Sequence, residues 1–284
     1  MTATVVATNL GGVVETPELG GHPTRVDVDG RPYVPIGDGG VVLGVRLGDG
    51  VFATDADHAA PGACLVHPDQ SARHALTSYS CLGNPVTVRN GAAAGARGVV
   101  LGKRGELGRV IACFPADVLA RLAPTDAVVV RGYGQGAEVA AGVHLRNVSP
   151  GALELLPVQV TGDRVSVSVR AVVGSHVVGN GIGRPVEQWD LDLQVDLDTA
   201  PALGLADLVL GDLVAVSDLD VRHNAGYRTG YVTVGVIVHG ASPQPGHGPG
   251  LMPILCGPAD AIDVRTDPAH VGVTEAALLA QHDR

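Results

Sequence analysis

Short apolar runs rich in valine, each closed by glycine, proline, asparagine or aspartate, recur along this chain and limit its fold more than any other feature. Such runs are typical of β-strands, because β-branched side chains pack well on a pleated surface and the closing residues favour turns. We predict strands at Val41–Leu47, Val86–Val88, Gly98–Leu101, Arg109–Cys113, Ala127–Arg131, Arg164–Arg170, Leu213–Val216 and Tyr231–Val238.

Helical signals are few and short. Pro115–Leu122 begins with proline at a first turn, Thr274–Gln281 follows a threonine N-cap, and a third short helix covers Thr199–Leu208. Few helices among many strands predict a mainly β protein of sandwich or barrel character. A turn cluster at Asn147–Gly151 divides the chain into two packed β domains, residues 1–150 and 151–284.

Composition and charge exclude several classes of protein. The 284 residues, 45% of them hydrophobic with a mean hydropathy of +0.25, suffice for a sizeable core. A net charge of −10 without a cluster of basic residues argues against a nucleic-acid partner. The chain shows neither a secretory signal nor an apolar stretch of about 20 residues, so we expect a cytoplasmic protein without a membrane partner. Four dispersed cysteines predict buried thiols rather than disulfides.

Two histidines follow the most apolar strand of the chain. The run Tyr231–Val238 leads directly into His239, and His247 lies eight residues later in a loop rich in glycine and proline. A buried strand that ends on a stiff loop with two imidazoles is typical of sites that hold a metal or a proton-transfer group. The rings converge only if the loop folds back, and the alternative is that each ring bonds turn backbone. We predict both as catalytic residues and metal ligands.

Another candidate histidine, His58, lies in an aspartate-rich segment, residues 54–62. Asp57 and His58 follow a predicted strand at Gly50–Ala53. If that strand continued, Asp57 would project to one side and His58 to the other, which leaves joint ligation open. One reading is an aspartate-rich turn with a surface histidine. In the functional reading, which we adopt, Asp57 is catalytic and His58 binds a metal.

The segment Glu187–Asp192 contains two aspartates that face the same side of a strand. Asp190 and Asp192 could bind a divalent cation, or one could perturb the other by like-charge repulsion. A solvated strand face is the alternative. We predict Asp190 as a metal ligand.

Glycine-rich turns supply further candidates. Gly179–Arg184 lacks both a long following helix and a P-loop lysine, which argues against a nucleotide cofactor and indicates a ligand-approach loop containing Asn180. Tyr133 and Gln135 lie in another turn that resembles a pocket lining, and Lys103 could offer a cation to a carboxylate or enolate. Ordinary hairpin turns explain the last two equally well.

An ordered set of phrases from about residue 55 to 255 resembles the bacterial and archaeal domain-of-unknown-function family 4438. The phrases are Asp57–Gly62, Cys81–Asn84, Gly98–Lys103, Gly132–Gly136, Asn147–Pro150, Gly179–Gly183, Leu208–Ala215, Gly235–His239 and Gly246–Gly250. The resemblance implies a mainly β, two-part fold without an established activity. It also marks several polar positions: Asp57, His58, Asn84, Lys103, Gln135, Asp190, Asp212, His239 and His247.

Asn84 is added to the substrate-binding candidates on this resemblance, beside Tyr133, Gln135 and Asn180. The chain also departs from the family pattern, because Arg104-Gly-Glu106 follows Lys103 where the family usually shows His-Gly-Gly. If that turn lines the pocket, the departure implies a shifted substrate or chemistry.

These observations favour an enzyme that acts on a small polar metabolite by hydrolysis, elimination or cyclisation. Catalysis would be metal-assisted, with zinc or a similar divalent ion, or would depend on His and Asp acid–base chemistry. The rival is a non-catalytic small-ligand binding or assembly protein. An alanine-, glycine- and valine-rich composition suits specialised metabolism, and the apolar content is compatible with a homo-oligomer.

Overall fold

The computed structural model describes residues 6–19, 21–267, 269 and 271–281. Its first nine strands are β1 Thr8–Val14, β2 Arg25–Val26, β3 Pro32–Tyr33, β4 Val41–Val42, β5 Gly62–Val66, β6 Pro85–Val88, β7 Arg97–Arg104, β8 Arg109–Cys113 and β9 Ala127–Gly132. The remaining strands are β10 Glu138–Ala140, β11 Val143–Leu145, β12 Val158–Thr161, β13 Arg164–Val169, β14 Ala171–Gly174, β15 Leu191–Asp192, β16 Leu213–Asp220, β17 Gly226–His239, β18 Gly250–Pro258 and β19 Ile262–Thr266. The helices are α1 Gln70–Tyr79, α2 Ala116–Leu119, α3 Pro150–Leu153 and α4 Glu275–Ala280.

The first sheet closes on itself. Its strands follow the order β1-β9-β6-β7-β8-β5, and β5 also pairs with β1, so these six strands form a barrel with β4 attached to β5. Every pairing in the ring is antiparallel. The side chains inside include Leu65, Val86, Val100, Val110, Val128 and Val130, and α1 adds Leu76. Closure leaves none of the six strands with an unpaired edge, which avoids the aggregation hazard of open sheets.

The second sheet has the order β10-β11-β18-β17-β16-β14, and β15 pairs with β18. All its pairings are antiparallel except the parallel pair β14–β16. A smaller sheet, β12-β13-β19, and the hairpin β2–β3 complete the described architecture. The mainly β, barrel-containing fold predicted from the sequence is confirmed.

Strand alternation joins the barrel to the second sheet. On β7, Val100 points into the barrel core, whereas Val99 and Leu101 pack in a second core with Val234 and Val236 of β17. Burying alternate residues on both faces requires the nearly continuous apolar sequence of these strands. The outer face of the barrel strand β7 therefore packs against the second sheet. The ends of β7, β15 and β17 carry the polar residues described below.

The division at residue 150 stays a prediction. β10 and β11 precede that residue and pair within the second sheet, and α3 begins at Pro150 behind the N-cap Ser149, whose hydroxyl accepts a hydrogen bond from Ala152 N at 3.2 Å.

The predicted strands agree with the structure except near residue 45. Only Val41–Val42 of the predicted strand Val41–Leu47 is a strand, and Gly50–Ala53 is a turn in which Gly50 forms an isolated bridge with Val209. The predicted helix at Thr199–Leu208 is a short 3₁₀ helix, Ala200–Leu203.

The burial of the cysteines was also predicted correctly. Cys64, Cys81, Cys113 and Cys256 are free thiols inside the protein. Among the described residues, no helix is both long enough and apolar enough to cross a membrane.

Candidate metal centre

His239 is the last residue of β17 and lies flat against Gly250, its register partner on β18. A Cβ atom on Gly250 would lie 2.0 Å from His239 Nε2, so a glycine is required there. The ring donates from Nδ1 to the carbonyl of Gly240 at 2.9 Å, which leaves Nε2 facing inward, 2.8 Å from Asp190 Oδ2. The imidazole is buried and is held on both sides.

His58 reaches the same place through an unusual backbone conformation. Its φ angle is +52°, in the left-handed region that side chains other than glycine seldom adopt. This bend brings His58 Nδ1 to 2.5 Å from Oδ1 of the preceding Asp57. The other oxygen of Asp57 accepts hydrogen bonds from Arg25 Nη1 at 2.8 Å and from the Tyr33 hydroxyl at 2.9 Å. The carboxylate therefore fixes the ring with Nε2 directed into the cluster.

The third imidazole comes from the loop after β17. His247 Nδ1 lies 3.0 Å from His58 Nε2 and 3.1 Å from Asp192 Oδ2. With the His58 proton on Nδ1, beside Asp57, His58 Nε2 accepts a hydrogen bond from His247 Nδ1. A cation bound by both rings would take the place of the proton between these two nitrogens.

Two aspartates of one short segment complete the centre. Asp190 Oδ1 accepts a hydrogen bond from Gly105 N at 3.1 Å, and Asp192 Oδ2 accepts one from Asn180 Nδ2 at 3.1 Å. Asp192 Oδ1 lies 3.6 Å from His239 Nε2 and 4.0 Å from His58 Nε2. It is buried and has no hydrogen-bond partner among the described residues. A buried carboxylate oxygen without a donor is costly unless a cation binds it.

Glu106 brings the centre to the surface. Its Oε1 accepts a hydrogen bond from Asn180 Nδ2 and lies 4.0 Å from His247 Nδ1, while Oε2 lies 3.0 Å from Arg104 Nε. The side chains of Glu106 and His247 are 26% and 19% exposed, whereas that of Asp192 is 1% exposed. Solvent therefore reaches the cluster from the side of Glu106 and His247.

The cluster carries more negative than positive charge. Arg25, Arg104 and Arg109 form ion pairs with a neighbouring acidic group made of Glu15, Asp38 and Asp57, so those three positive and three negative charges balance. Asp190, Asp192 and Glu106, which shares Arg104 with Asp38, add three more carboxylates, so with neutral imidazoles the whole group has a net charge of −3. An excess of buried negative charge requires either a bound cation or bound protons.

The histidine pKa values show how the protein responds to this excess. Burial opposes protonation of His239, but the hydrogen bond to Asp190 outweighs it and raises the pKa. Burial also opposes protonation of His247, yet Asp192 raises the pKa of that ring above its ordinary value. For His58, burial together with the nearby Arg104 guanidinium lowers the pKa to about 4. The last ring is therefore neutral near pH 7, as a metal ligand must be.

The donor atoms fall into two overlapping sets. One contains His58, Glu106, Asp192 and His247, and the other contains Asp190, Asp192 and His239; within each set one donor atom per residue lies within 4.8 Å of the others. Imidazole nitrogens and carboxylate oxygens in this combination suit zinc and similar divalent ions. The sequence-predicted residues Asp57, His58, Asn180, Asp190, His239 and His247 therefore all meet here.

Lys103 does not take part in the cluster. Side chains alternate along β7, so Lys103 points to the face opposite Arg104. Its ammonium is buried and donates to Asn147 Oδ1 at 2.7 Å and to the carbonyls of Glu187 and Ser78 at 2.6 and 3.4 Å. Burial lowers its pKa to about 8. Predicted to be catalytic, this lysine instead links three chain segments.

The other predicted substrate-binding residues also lie away from the cluster. Gln135 Nε2 donates to Ser78 O and to Asn147 Oδ1, both at 2.8 Å, and so belongs to the network of Lys103. Asn84 accepts hydrogen bonds from Cys81 N and Tyr133 N and donates to Tyr133 O, so it braces a turn.

Glu106 was not predicted from the sequence, and Asp192 was recognised as a possible cation ligand, although only Asp190 was chosen. A glutamate in a hairpin turn carries no motif, and its one signal was the Arg104-Gly-Glu106 departure from the family pattern. The structure places both charged residues of that departure at the cluster.

Comparison with known proteins identifies the family. The model of the Domain of unknown function (DUF4438), N-terminal, matches residues 24–154, and that of the Domain of unknown function (DUF4438), C-terminal, matches residues 155–272. The crystal structure of TM1086 is similar to this chain, with a TM-score of 0.89 and 31% identity over 94% of this chain and 95% of that chain. A search of curated proteins returned no match. The chain belongs to the DUF4438 family.

Proposed function

We propose that this member of the DUF4438 family is an enzyme that uses a divalent cation, zinc or a similar ion, to act on a small polar molecule by hydrolysis, elimination or cyclisation. The observation that carries the proposal is Asp192 Oδ1, a buried carboxylate oxygen without a hydrogen-bond donor among the described residues, which lies 4.0 Å from His58 Nε2 and 3.6 Å from His239 Nε2. A cation bound by Asp192 together with His58, Glu106 and His247 would satisfy this oxygen.

The outer contacts of two rings support this assignment. Metal-binding histidines usually donate their second ring N–H to a carboxylate or a backbone carbonyl. His58 has the Asp57 carboxylate beside Nδ1, and His239 donates from Nδ1 to the Gly240 carbonyl. These contacts orient Nε2 of both rings inward before any ion arrives.

The chemistry takes place at the set of metal donors that is open to solvent. His58, Glu106, Asp192 and His247 offer four donors, and Glu106 and His247 border the solvent. A bound divalent ion supplies a Lewis acid that polarises a carbonyl or lowers the pKa of a water molecule. His239 and Asp190, deeper in the protein, lie beside the Asp192 that the two sets share.

Elemental analysis of protein purified without chelator or metal-affinity resin tests the cation. We expect near-stoichiometric metal in the wild type and a loss of metal in Asp192→Asn, which keeps the shape of the side chain but halves its oxygen donors. The matched control is Asp220→Asn, which alters another buried carboxylate, paired with Arg222 outside the centre. Equal metal content in wild type and Asp192→Asn, or no metal in the wild type after incubation with zinc, would refute the proposal.

Activity separates the enzyme from a non-catalytic binder. The metal-loaded wild type is screened against small esters, amides and lactones, with Asp192→Asn and chelator-treated protein as controls. An enzyme converts a substrate in a metal-dependent way, whereas a binder shifts the melting temperature without forming product.

A further inference from the structure

A cleft adjoins the exposed edge of the centre. It has a volume of ≈ 410 Å³ and lies where α1 approaches the β7–β8 turn and the segment before β15. Its lining includes Glu106 and Gly105, which touch the centre, and Arg73, His74, Gln188 and Trp189. This volume falls in the range of small-molecule sites.

One side chain that lines the cleft, Arg73, carries a positive charge without an ion-pair partner among the described residues. Arg73 donates from Nε to the carbonyl of His67 at 2.7 Å and from Nη1 to that of Leu107 at 3.1 Å, and among the described residues it forms no ion pair. These two bonds fix the guanidinium without neutralising it. One of them ends on Leu107, the residue that follows Glu106 in the β7–β8 turn.

The single carboxylate of the cleft wall is already engaged. Glu106 accepts from Asn180 with one oxygen and pairs with Arg104 through the other, so it does not compensate Arg73. His74 is exposed on the same helix as Arg73. Arg73 therefore offers a fixed guanidinium without an ion-pair partner among the described residues, which an anion can bind.

We propose that this cleft is the substrate site of the metal centre and that it takes a small carboxylate, whose anionic end pairs with Arg73 while its reacting group reaches the ion past Glu106. This inference rests on the proposed function. A guanidinium presents a planar pair of N–H donors that matches a carboxylate, and its preorganisation by two carbonyls reduces the entropy lost on binding.

Two probes that differ only at the far end test the proposal. Propionohydroxamate binds a metal ion through its hydroxamate group, and succinic acid monohydroxamate adds a carboxylate. Calorimetry on zinc-loaded protein should give about tenfold or tighter binding of the second probe, as expected for one charge-assisted hydrogen bond. In Arg73→Gln we expect the two affinities to become equal while the affinity for propionohydroxamate stays the same. The control is Arg89→Gln, an exposed arginine that lines a different recess, on the barrel wall.

The outcomes separate the two proposals. If zinc does not bind, or neither hydroxamate binds the loaded protein, the proposed function fails and this inference fails with it. If both probes bind the wild type equally, or Arg73→Gln keeps the preference for the carboxylate, the metal centre stands and the carboxylate site is refuted. Loss of the preference in Arg89→Gln would also overturn the role of Arg73.

Discussion

Replacing Gly250 with alanine should weaken metal binding without replacing any ligand. The new Cβ would lie 2.0 Å from His239 Nε2 and 2.2 and 2.5 Å from two ring carbons. Contacts of a Cβ atom below 3.0 Å are essentially not observed, so the ring must move by about 1 Å. Metal–ligand distances tolerate only about 0.2 Å, and we therefore expect His239 to leave its position in the centre.

The magnitude follows from two contributions. Forcing a methyl group into a packed interior costs about 1–3 kcal/mol of unfolding free energy. Misplacing a group that orients a metal centre lowers metal affinity by roughly 10–100-fold. Zinc affinity is measured by competition with a chromogenic chelator, and unfolding by denaturant titration of the zinc-free protein, so that the two effects are recorded separately.

The matched control is Gly235→Ala, on β17, the strand that carries His239. Its Cβ would lie 2.6 Å from Leu251 Cγ, so it overpacks the interior as Gly250→Ala does, but away from a ligand. We expect a comparable loss of stability with unchanged zinc affinity. Unaltered zinc affinity in Gly250→Ala, or an equal loss in both variants, would show that the position of His239 is irrelevant to the ion.

Three further predictions follow from the contacts. Asp57→Asn replaces the carboxylate beside His58 Nδ1 with a neutral amide and should weaken zinc binding by roughly 10–100-fold in the same competition assay. Lys103→Met removes three hydrogen bonds and leaves the Glu187 carbonyl without its donor, whereas Ser78 O and Asn147 Oδ1 keep the donor Gln135 Nε2; it should lower the unfolding free energy by about 1–3 kcal/mol in denaturant titration, with full metal content. Asp220 has a pKa below its ordinary 3.8, mainly because its hydrogen bonds to Arg222 outweigh burial. The wild type should therefore be more stable than Asp220→Asn above about pH 4, and this difference should disappear as the pH falls further. Thermal melts of both proteins across acid pH measure it.

The strands were predictable because their signal is local. Arg109–Cys113 was predicted with the bounds that the structure shows, and its apolar run fits a strand buried on both faces. Val51 and Phe52 also favour strands, but Val51 N bonds to Leu208 O inside a turn, so tertiary contact overrides propensity. Helix α1 was not predicted because it buries only Leu76 and Thr77, so the helical periodicity of its apolar residues is too weak to recognise.

The residue types of the site were visible in the sequence, whereas its geometry was not. Strand alternation predicts that Asp57 and His58 point apart, and the left-handed backbone of His58 places them side by side. The same alternation, applied to β7, would have separated Lys103 from Arg104. Convergence of His239 with His247 depends on how the intervening loop folds back, which spacing alone does not determine.

The donors of the solvent-facing set come from four segments far apart in the chain, and His58 and His247 alone are 189 residues apart. An ion shared by these segments ties them to one point. It can bind fully only after the barrel and the second sheet have assembled, and separation of the two would release it. At a free concentration one hundred times its dissociation constant, such an ion adds about 2.7 kcal/mol to the unfolding free energy. Metal occupancy would then report on the integrity of the whole fold, and a chelator would loosen parts of the molecule that it never touches.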